Sequence, residues 1–285
     1  MYDMKERKLG WVRDPVDKRD HGMRQFFMVR NINVPAFADL RQWCSDVEDQ
    51  GQAGSCTGNA TAGALEFLEI RNGRPNGGIV QKSRLFPYYN GRGWWYKRQD
   101  SGACIRDVIK GVAKYGCCNE TVWPYDISLV TRTPSRAAYT DGQRNLITAY
   151  AKLTGSTAQG TLGNIRETLA TGFPVVFGFD CFDNVLSASC AVDGVVKVPS
   201  KTEVIQGGHA VLAVGYDDAK QEIIFRNSWG AKWGDKGYGR LPYWYVLNGH
   251  ATDFWVIQAQ ALPEAGLWEE LKGTWHWFKT MRRVG

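Results

Sequence analysis

The hydrophobic period of this chain changes near its middle, and that change limits the folds open to it. Up to Gly172 the apolar residues recur at helical spacing. Ala60, Ala64, Leu65, Phe67 and Leu68 share one face after Ser55, a residue suited to a cap, and Asn72-Gly73-Arg74-Pro75 stops the run. Ile105, Val108, Ile109, Val112 and Ala113 make a second stripe that ends at Gly116, and Leu162, Ile165 and Leu169 a third that closes at Gly172 and Pro174. From Pro174 onward the pattern becomes short apolar runs between turn residues. Strands are expected at 174–179, 194–198, 210–216, 222–226 and 254–259, with Asp217-Asp218 and Lys220-Gln221 forming a hairpin turn. Helices first and antiparallel strands later predict an α+β chain of two packed halves, with a cleft between them as the natural place for a site. The expected bounds are an extended arm at 1–33, a mainly helical half at 34–145, a mainly β half at 146–262 and a tail at 263–285.

Other classes fall away on composition. With 44% hydrophobic and 22% charged residues, the chain is neither disordered nor fibrous as a whole. No apolar run reaches the ~18 residues that span a bilayer, so a membrane partner is not expected. The net charge of +6 is spread along the chain, which gives no footprint for nucleic acid. Met1 to Gly10 is charged and holds no apolar core of a secretory signal. The 7 Cys are odd in number and lack a CxxC pair, so neither a disulfide framework nor a metal site is expected, and no cofactor is called for. Adjacent Cys117 and Cys118 suit buried thiols. Together these features predict a cytoplasmic protein with reduced thiols, or one carried in an assembly or virion if the source is a phage. The 12 Trp suggest large packed interfaces.

Three segments bear chemistry. In Asp49-Gln50-Gly51-Gln52-Ala53-Gly54-Ser55-Cys56-Thr57 a Cys follows a glycine-rich turn at the start of the first helix. A helix N-terminus stabilises a thiolate, its N–H groups can hold an oxyanion, and the Gln50 amide can add a donor. Taken alone, Cys56 reads rather as a buried helix residue, as most free Cys are. In Gln206-Gly207-Gly208-His209-Ala210-Val211-Leu212, a His opens an apolar strand behind two glycines. His21, His250 and His276 lack such a setting and read as surface or packing residues. The third segment is Asn227-Ser228-Trp229-Gly230-Ala231-Lys232-Trp233-Gly234 with Gly237-Tyr238. Asn227 ends a strand expected to pair with that of His209, and an Asn amide can accept an imidazole N–H and fix the ring.

Together the segments give Cys56, His209 and Asn227 in order, with the His roughly 150 residues after the Cys. Over about Val34 to Ala261 the chain resembles the papain-like cysteine peptidases, and more narrowly their compact bacterial and phage members. The resemblance implies a helical left half packed on an antiparallel β-barrel-like right half, and hydrolysis of peptide bonds through a thioester acyl-enzyme. It implies Cys56 as nucleophile, His209 as general base and acid, and Asn227 as orienter of the imidazole. Gln50 and the Cys56 N–H would form the oxyanion hole. Trp229 would cover the His209–Asn227 bond, Trp233 would line the leaving-group side, and Gly102 and Gly208 would bind substrate backbone. Trp123-Pro124-Tyr125 matches a structural motif after the second helix. Protein or peptide is the implied substrate, with endopeptidase action the default.

The chain also departs from that family. Ala53 stands where many secreted relatives carry a disulfide Cys, Thr57 where Trp is usual, and Gly208 where Asn or Asp is common. The arm before Val34 is much shorter than the usual inhibitory pro-segment. It is expected to brace the barrel or run near the cleft, with control of activity lying elsewhere. In the tail, Leu267, Trp268, Leu271, Trp275 and Phe278 form an apolar stripe that ends in Lys279, Arg282 and Arg283. A helix packed on its own domain and a partner-docking helix both fit it. Membrane-surface binding fits less well, because Glu264, Glu269 and Glu270 oppose anionic lipid. Two other functions are compatible with the residues. One is a structural or partner-binding component that keeps the fold and is anchored by 263–285. The other is an acyl transferase, which Asn227 argues against because such enzymes favour Asp.

Overall fold

The computed structural model describes residues 7–17, 20, 33–73, 80–93 and 96–260, with side chains as far as 258. The tail stripe, His21, His276, the Arg74-Pro75 stop and much of the arm lie outside the described residues.

The helical part comprises α1 (Cys56–Arg71), α2 (Leu85–Gly91), α3 (Ile105–Tyr115) and α4 (Arg136–Gly142), preceded by a short strand β1 (Phe37–Asp39). Next come β2 (Ile147–Lys152), α5 (Ala158–Ala170), β3 (Val175–Phe182), α6 (Ala188–Asp193), β4 (Ile205–Asp217), β5 (Glu222–Arg226), β6 (Tyr238–Pro242), α7 (Tyr243–Leu247) and β7 (Ala251–Gln260). The strands form one antiparallel sheet in the order β2-β7-β3-β4-β5-β6, with β1 added against β4. The expected α+β architecture with a helical and a sheet part is thus present. Among the described residues the sheet is open, with β2 and β6 unpaired at its edges, where a barrel-like half was expected.

α1 is the pivot. The apolar stripe predicted a helix with one buried face, but every residue from Cys56 to Glu69 is buried. Gly58, Ala60, Ala62, Gly63 and Ala64 make it thin, so α2, α3 and the sheet close around it on all sides. β4 is buried on both faces. Val211 and Ala213 face the core that α5 and α7 complete, while Ala210, Leu212 and Val214 face the core shared with α1 and α3. The β4–β5 hairpin forms as expected, with Asp217 opposite Glu222 and Leu212 opposite Arg226. Residues 194–198 are not a strand. Gly194 caps α6 in the left-handed conformation, and only Val195 makes an isolated bridge, to Arg240.

Burying α1 completely also buries its charges. Lys82 Nζ lies 2.8 Å from Glu69 Oε1, and both side chains are almost wholly shielded from solvent. Glu66 accepts the Lys82 backbone N–H at 2.7 Å and the Ser45 hydroxyl, and Ser45 in turn receives Arg226 Nη2 at 3.2 Å. This chain of contacts ties the helix that begins with Cys56 to the end of β5. Removing one partner of a buried pair strands the other charge. Glu69→Ala is therefore expected to cost about 3 kcal/mol or more of unfolding free energy in denaturant titration, and a loss below about 1 kcal/mol would remove the pair from the stability account.

Candidate active site

Cys56 is the first residue of α1. Ser55 holds the cap position without capping. Its hydroxyl is hydrogen-bonded to the Tyr125 hydroxyl at 2.6 Å and accepts from Asn59 Nδ2 at 3.1 Å. The first amides of the helix are therefore not consumed by a cap and remain available beside the thiol.

The imidazole opposite is fixed in one tautomer. Asn227 Oδ1 accepts the Ser228 backbone N–H at 2.8 Å, which identifies that atom as oxygen, and it lies 2.8 Å from His209 Nε2. An acceptor already receiving one N–H requires Nε2 to donate, so in the neutral ring Nδ1 carries the lone pair. His209 Nδ1 is buried and has no hydrogen-bond partner among the described residues. The ring is held by Trp229, stacked on it at 4.5 Å and 23°, and by Phe179 edge-on at 5.9 Å. Trp233 is fully buried and meets Trp229 edge-on at 5.3 Å, which puts it behind the indole shield.

Gln50 is equally constrained. Its Oε1 accepts the Ser228 hydroxyl at 2.6 Å, and its backbone carbonyl accepts the Tyr125 hydroxyl at 2.8 Å. Its Nε2 donates to Ala53 O at 2.9 Å and to Lys8 O at 3.0 Å. That second acceptor belongs to the N-terminal arm, which runs through the cleft. Arg7 pairs with Asp49, and Lys8 Nζ lies 2.8 Å from Asp100 Oδ2. Gly10 O accepts the Ala103 N–H at 2.9 Å, Trp11 N donates to Gly208 O at 3.0 Å, and Val12 N donates to Ala103 O at 3.1 Å. Further on, Arg13 pairs with Asp180 at 2.7 Å and the Asp14 N–H donates to Asp253 at 2.7 Å. The close passage needs glycine. A Cβ on Gly10 would overlap the Gly54 carbonyl, and one on Gly102, whose φ is +76°, would overlap the Gly10 carbonyl. The candidate backbone-binding glycines, Gly102 and Gly208, thus both lie under the arm.

Covered in this way, the thiol and imidazole are electrically quiet. Burial pushes the Cys56 thiol up to about 11, against the pull of the backbone N–H groups of Ala210, Gly10, Thr57 and Cys56 itself. Burial also drives His209 down to about 4, with the Arg7 charge adding to it and the Asn227 hydrogen bond opposing it. The helix start was expected to stabilise a thiolate at Cys56, whereas in the covered site desolvation favours the neutral thiol and imidazole. All seven cysteines are free, with Cys117 and Cys118 buried as expected. His250 packs on Trp244 and Asp180. Sequence reasoning left the arm's place open and gave no role to Ser228. The signal for the arm was the apolar Leu9-Gly10-Trp11 step within a charged segment.

Comparison with known proteins agrees with this geometry. Residues 34–246 match the papain family cysteine protease profile. The chain is 37% identical over 278 residues to an uncharacterized peptidase C1-like protein of Acanthamoeba polyphaga mimivirus, covering 90% of this chain and 88% of that one. The crystal structure of xylellain, a cysteine protease from Xylella fastidiosa, superposes with a TM-score of 0.77 at 34% identity, over 90% of this chain and 97% of that one. A digestive procathepsin L2 proteinase from Tenebrio molitor larval midgut shares the fold, with a TM-score of 0.68 at 23% identity over 90% of this chain and 80% of its own. The chain belongs to the papain family of cysteine proteases and is a cysteine-type peptidase.

Proposed function

We propose that this peptidase cleaves peptide bonds with Cys56, His209 and Asn227, and that the form described above is its latent state. The observation that carries the reading is the fixed tautomer of His209. With Nε2 donating to Asn227, the bare Nδ1 is a base available to the Cys56 proton. In the open enzyme His209 takes that proton and the thiolate attacks the substrate carbonyl carbon. The oxyanion that develops is held by Gln50 Nε2 and the Cys56 N–H. His209 then returns the proton to the leaving amine as the C–N bond breaks. A water, deprotonated by the same ring, cleaves the thioester and frees the thiol. In the covered state the Lys8 carbonyl receives the Gln50 N–H that a substrate carbonyl would use, which supports reading the arm as an inhibitor.

Two outcomes test this. With the arm loosened by Trp11→Ala, an epoxysuccinyl thiol-protease inhibitor is expected to alkylate Cys56, as mapped by mass spectrometry, with Cys56→Ala as control. Adding Gln50→Ala is expected to lower peptide turnover about a hundredfold, the effect of losing one oxyanion donor. No adduct on Cys56 would overturn the peptidase mechanism, and unchanged turnover would remove Gln50 from it.

A third outcome concerns pH. Uncovering passes the Cys56 proton to His209, so near neutral pH the covered and uncovered pairs hold the same number of protons and the pair itself does not drive release. The carboxylates that anchor the arm do, because Asp49 and Asp100 take up protons more readily once it has left. Burial raises both, but hydrogen bonds outweigh it and hold them below 3.8, chiefly from Arg7 for Asp49 and from Lys8 and Tyr88 for Asp100. Asp14, raised by burial and by Asp253, opposes them. Hydrogen exchange over residues 7–14, corrected for intrinsic rates, is expected to keep its protection from pH 7 to pH 5 and to lose it as the pH falls to 3. Constant protection would show that the arm is not held through these groups.

A further inference from the structure

We propose that Tyr125 is a positioning residue for the oxyanion hole, its hydroxyl setting the place of Gln50 relative to the Cys56 N–H. The inference rests on the peptidase reading and on Gln50 as an oxyanion donor.

The hydroxyl sits where the two segments that supply the donors meet. It lies 2.8 Å from the Gln50 carbonyl and 2.6 Å from the hydroxyl of Ser55, the residue before Cys56. Each proton in this row is assigned by its neighbours. Asn59 Nδ2 donates to the Ser55 carbonyl at 3.0 Å, and a carbonyl only accepts, so the orientation of the amide is settled. The same nitrogen donates to Ser55 Oγ at 3.1 Å. The Gln50 carbonyl likewise only accepts, so it takes the single Tyr125 proton. The Ser55 hydroxyl must then donate to the Tyr125 oxygen. The result is one directed row, from Asn59 to Ser55 to Tyr125 to Gln50, which joins α1 to the turn before it. Burial pushes the Tyr125 hydroxyl up to about 12, so at neutral pH it keeps the proton that the row requires.

Tyr125 is itself held from two sides. Arg84 lies over its ring at 4.2 Å, and Glu120 accepts both its backbone N–H at 2.6 Å and Arg84 Nη2 at 2.9 Å. Arg84 also pairs at 2.9 Å with Glu48, two residues before Gln50. Other anchors of Gln50 lead elsewhere. Its N–H donates to Ser228 O at 2.8 Å and its Oε1 accepts the Ser228 hydroxyl at 2.6 Å, which ties it to the loop that carries Asn227. The Tyr125 bond ties it instead to the helix start that carries the other donor. Without that bond Gln50 follows the Ser228 loop and its distance from the Cys56 N–H is no longer set. Such donors lower a barrier because they are fixed in place before the charge develops.

The test compares variants of the full chain carrying Trp11→Ala, which loosens the arm. Tyr125→Phe is expected to lower kcat for a peptide about tenfold, with KM within about twofold. The rate at which iodoacetamide alkylates Cys56 is expected to stay within about twofold, because that reaction develops no oxyanion. In a Gln50→Ala background the same substitution is expected to cost less than about twofold, because Tyr125 acts through the amide already removed. Ser55→Ala cuts the row at its other bond and gives the same readouts should the phenylalanine variant fail to fold. An undiminished kcat in Tyr125→Phe would overturn the positioning role while leaving the peptidase reading intact. So would a loss that recurs in full in the Gln50→Ala background or is matched in the alkylation rate, as a merely structural role requires. A Trp11→Ala chain that neither cuts peptides nor labels at Cys56 would defeat the peptidase reading, and the positioning role with it.

Discussion

The proposed catalytic arrangement depends on one oxygen atom. Asn227 Oδ1 receives two N–H groups, one from the Ser228 backbone and one from His209 Nε2, and this double claim fixes the amide, the ring and the tautomer together. The oxygen stays in place because β5 ends one residue earlier, and Arg226 at that end is bonded to Ser45 and the Asp46 carbonyl beside α1. The helix that begins with Cys56 and the strand that delivers Asn227 are thus held by one buried polar chain. Trp229 and Trp233 then exclude water from the His209–Asn227 bond, where a hydrogen bond is electrostatically stronger than it would be in water.

The same dryness makes the covered site inert. With the arm in place, desolvation outweighs every donor aimed at the sulfur, so the thiol keeps its proton and the imidazole stays neutral. The arm runs through the cleft and draws on the backbone groups of Ala103 and Gly208 there. Ion pairs flank it on both sides of the nucleophile, Arg7 with Asp49 and Lys8 with Asp100 on one, Arg13 with Asp180 on the other.

Much of this was legible in the sequence where local chemistry dictates the residue. Cys56, His209 and Asn227 stand beside glycines and tryptophans that have few other uses, and β5 was bounded correctly because its apolar run ends at a turn on one side and at Asn227 on the other. β2 and β6 went unread because they are short: the burial of β2 is irregular, and β6 alternates but turns only Gly239 and Leu241 inward, which leaves no apolar run to see. Residues 194–198 misled because Val195 and Val196 resemble a strand, while Gly194 in fact caps a helix. The all-round burial of α1 is set by its partners and is not written in its own stripe. The place of the arm was illegible for a related reason. Its fit depends on Gly10 passing between Gly54 and Gly102, a contact of backbones that leaves only three distant glycines in the sequence.

The central claim is that the arm, by drying the site, holds a competent Cys–His pair in its neutral form. The most direct measurement is the pH dependence of iodoacetamide alkylation at Cys56, read by peptide mass mapping, in the intact chain and in Gly10→Ala, where the new Cβ collides with the Gly54 carbonyl. The account predicts a midpoint near 11 for the intact chain and one below neutral once the arm is displaced. The same high midpoint in both chains would contradict it.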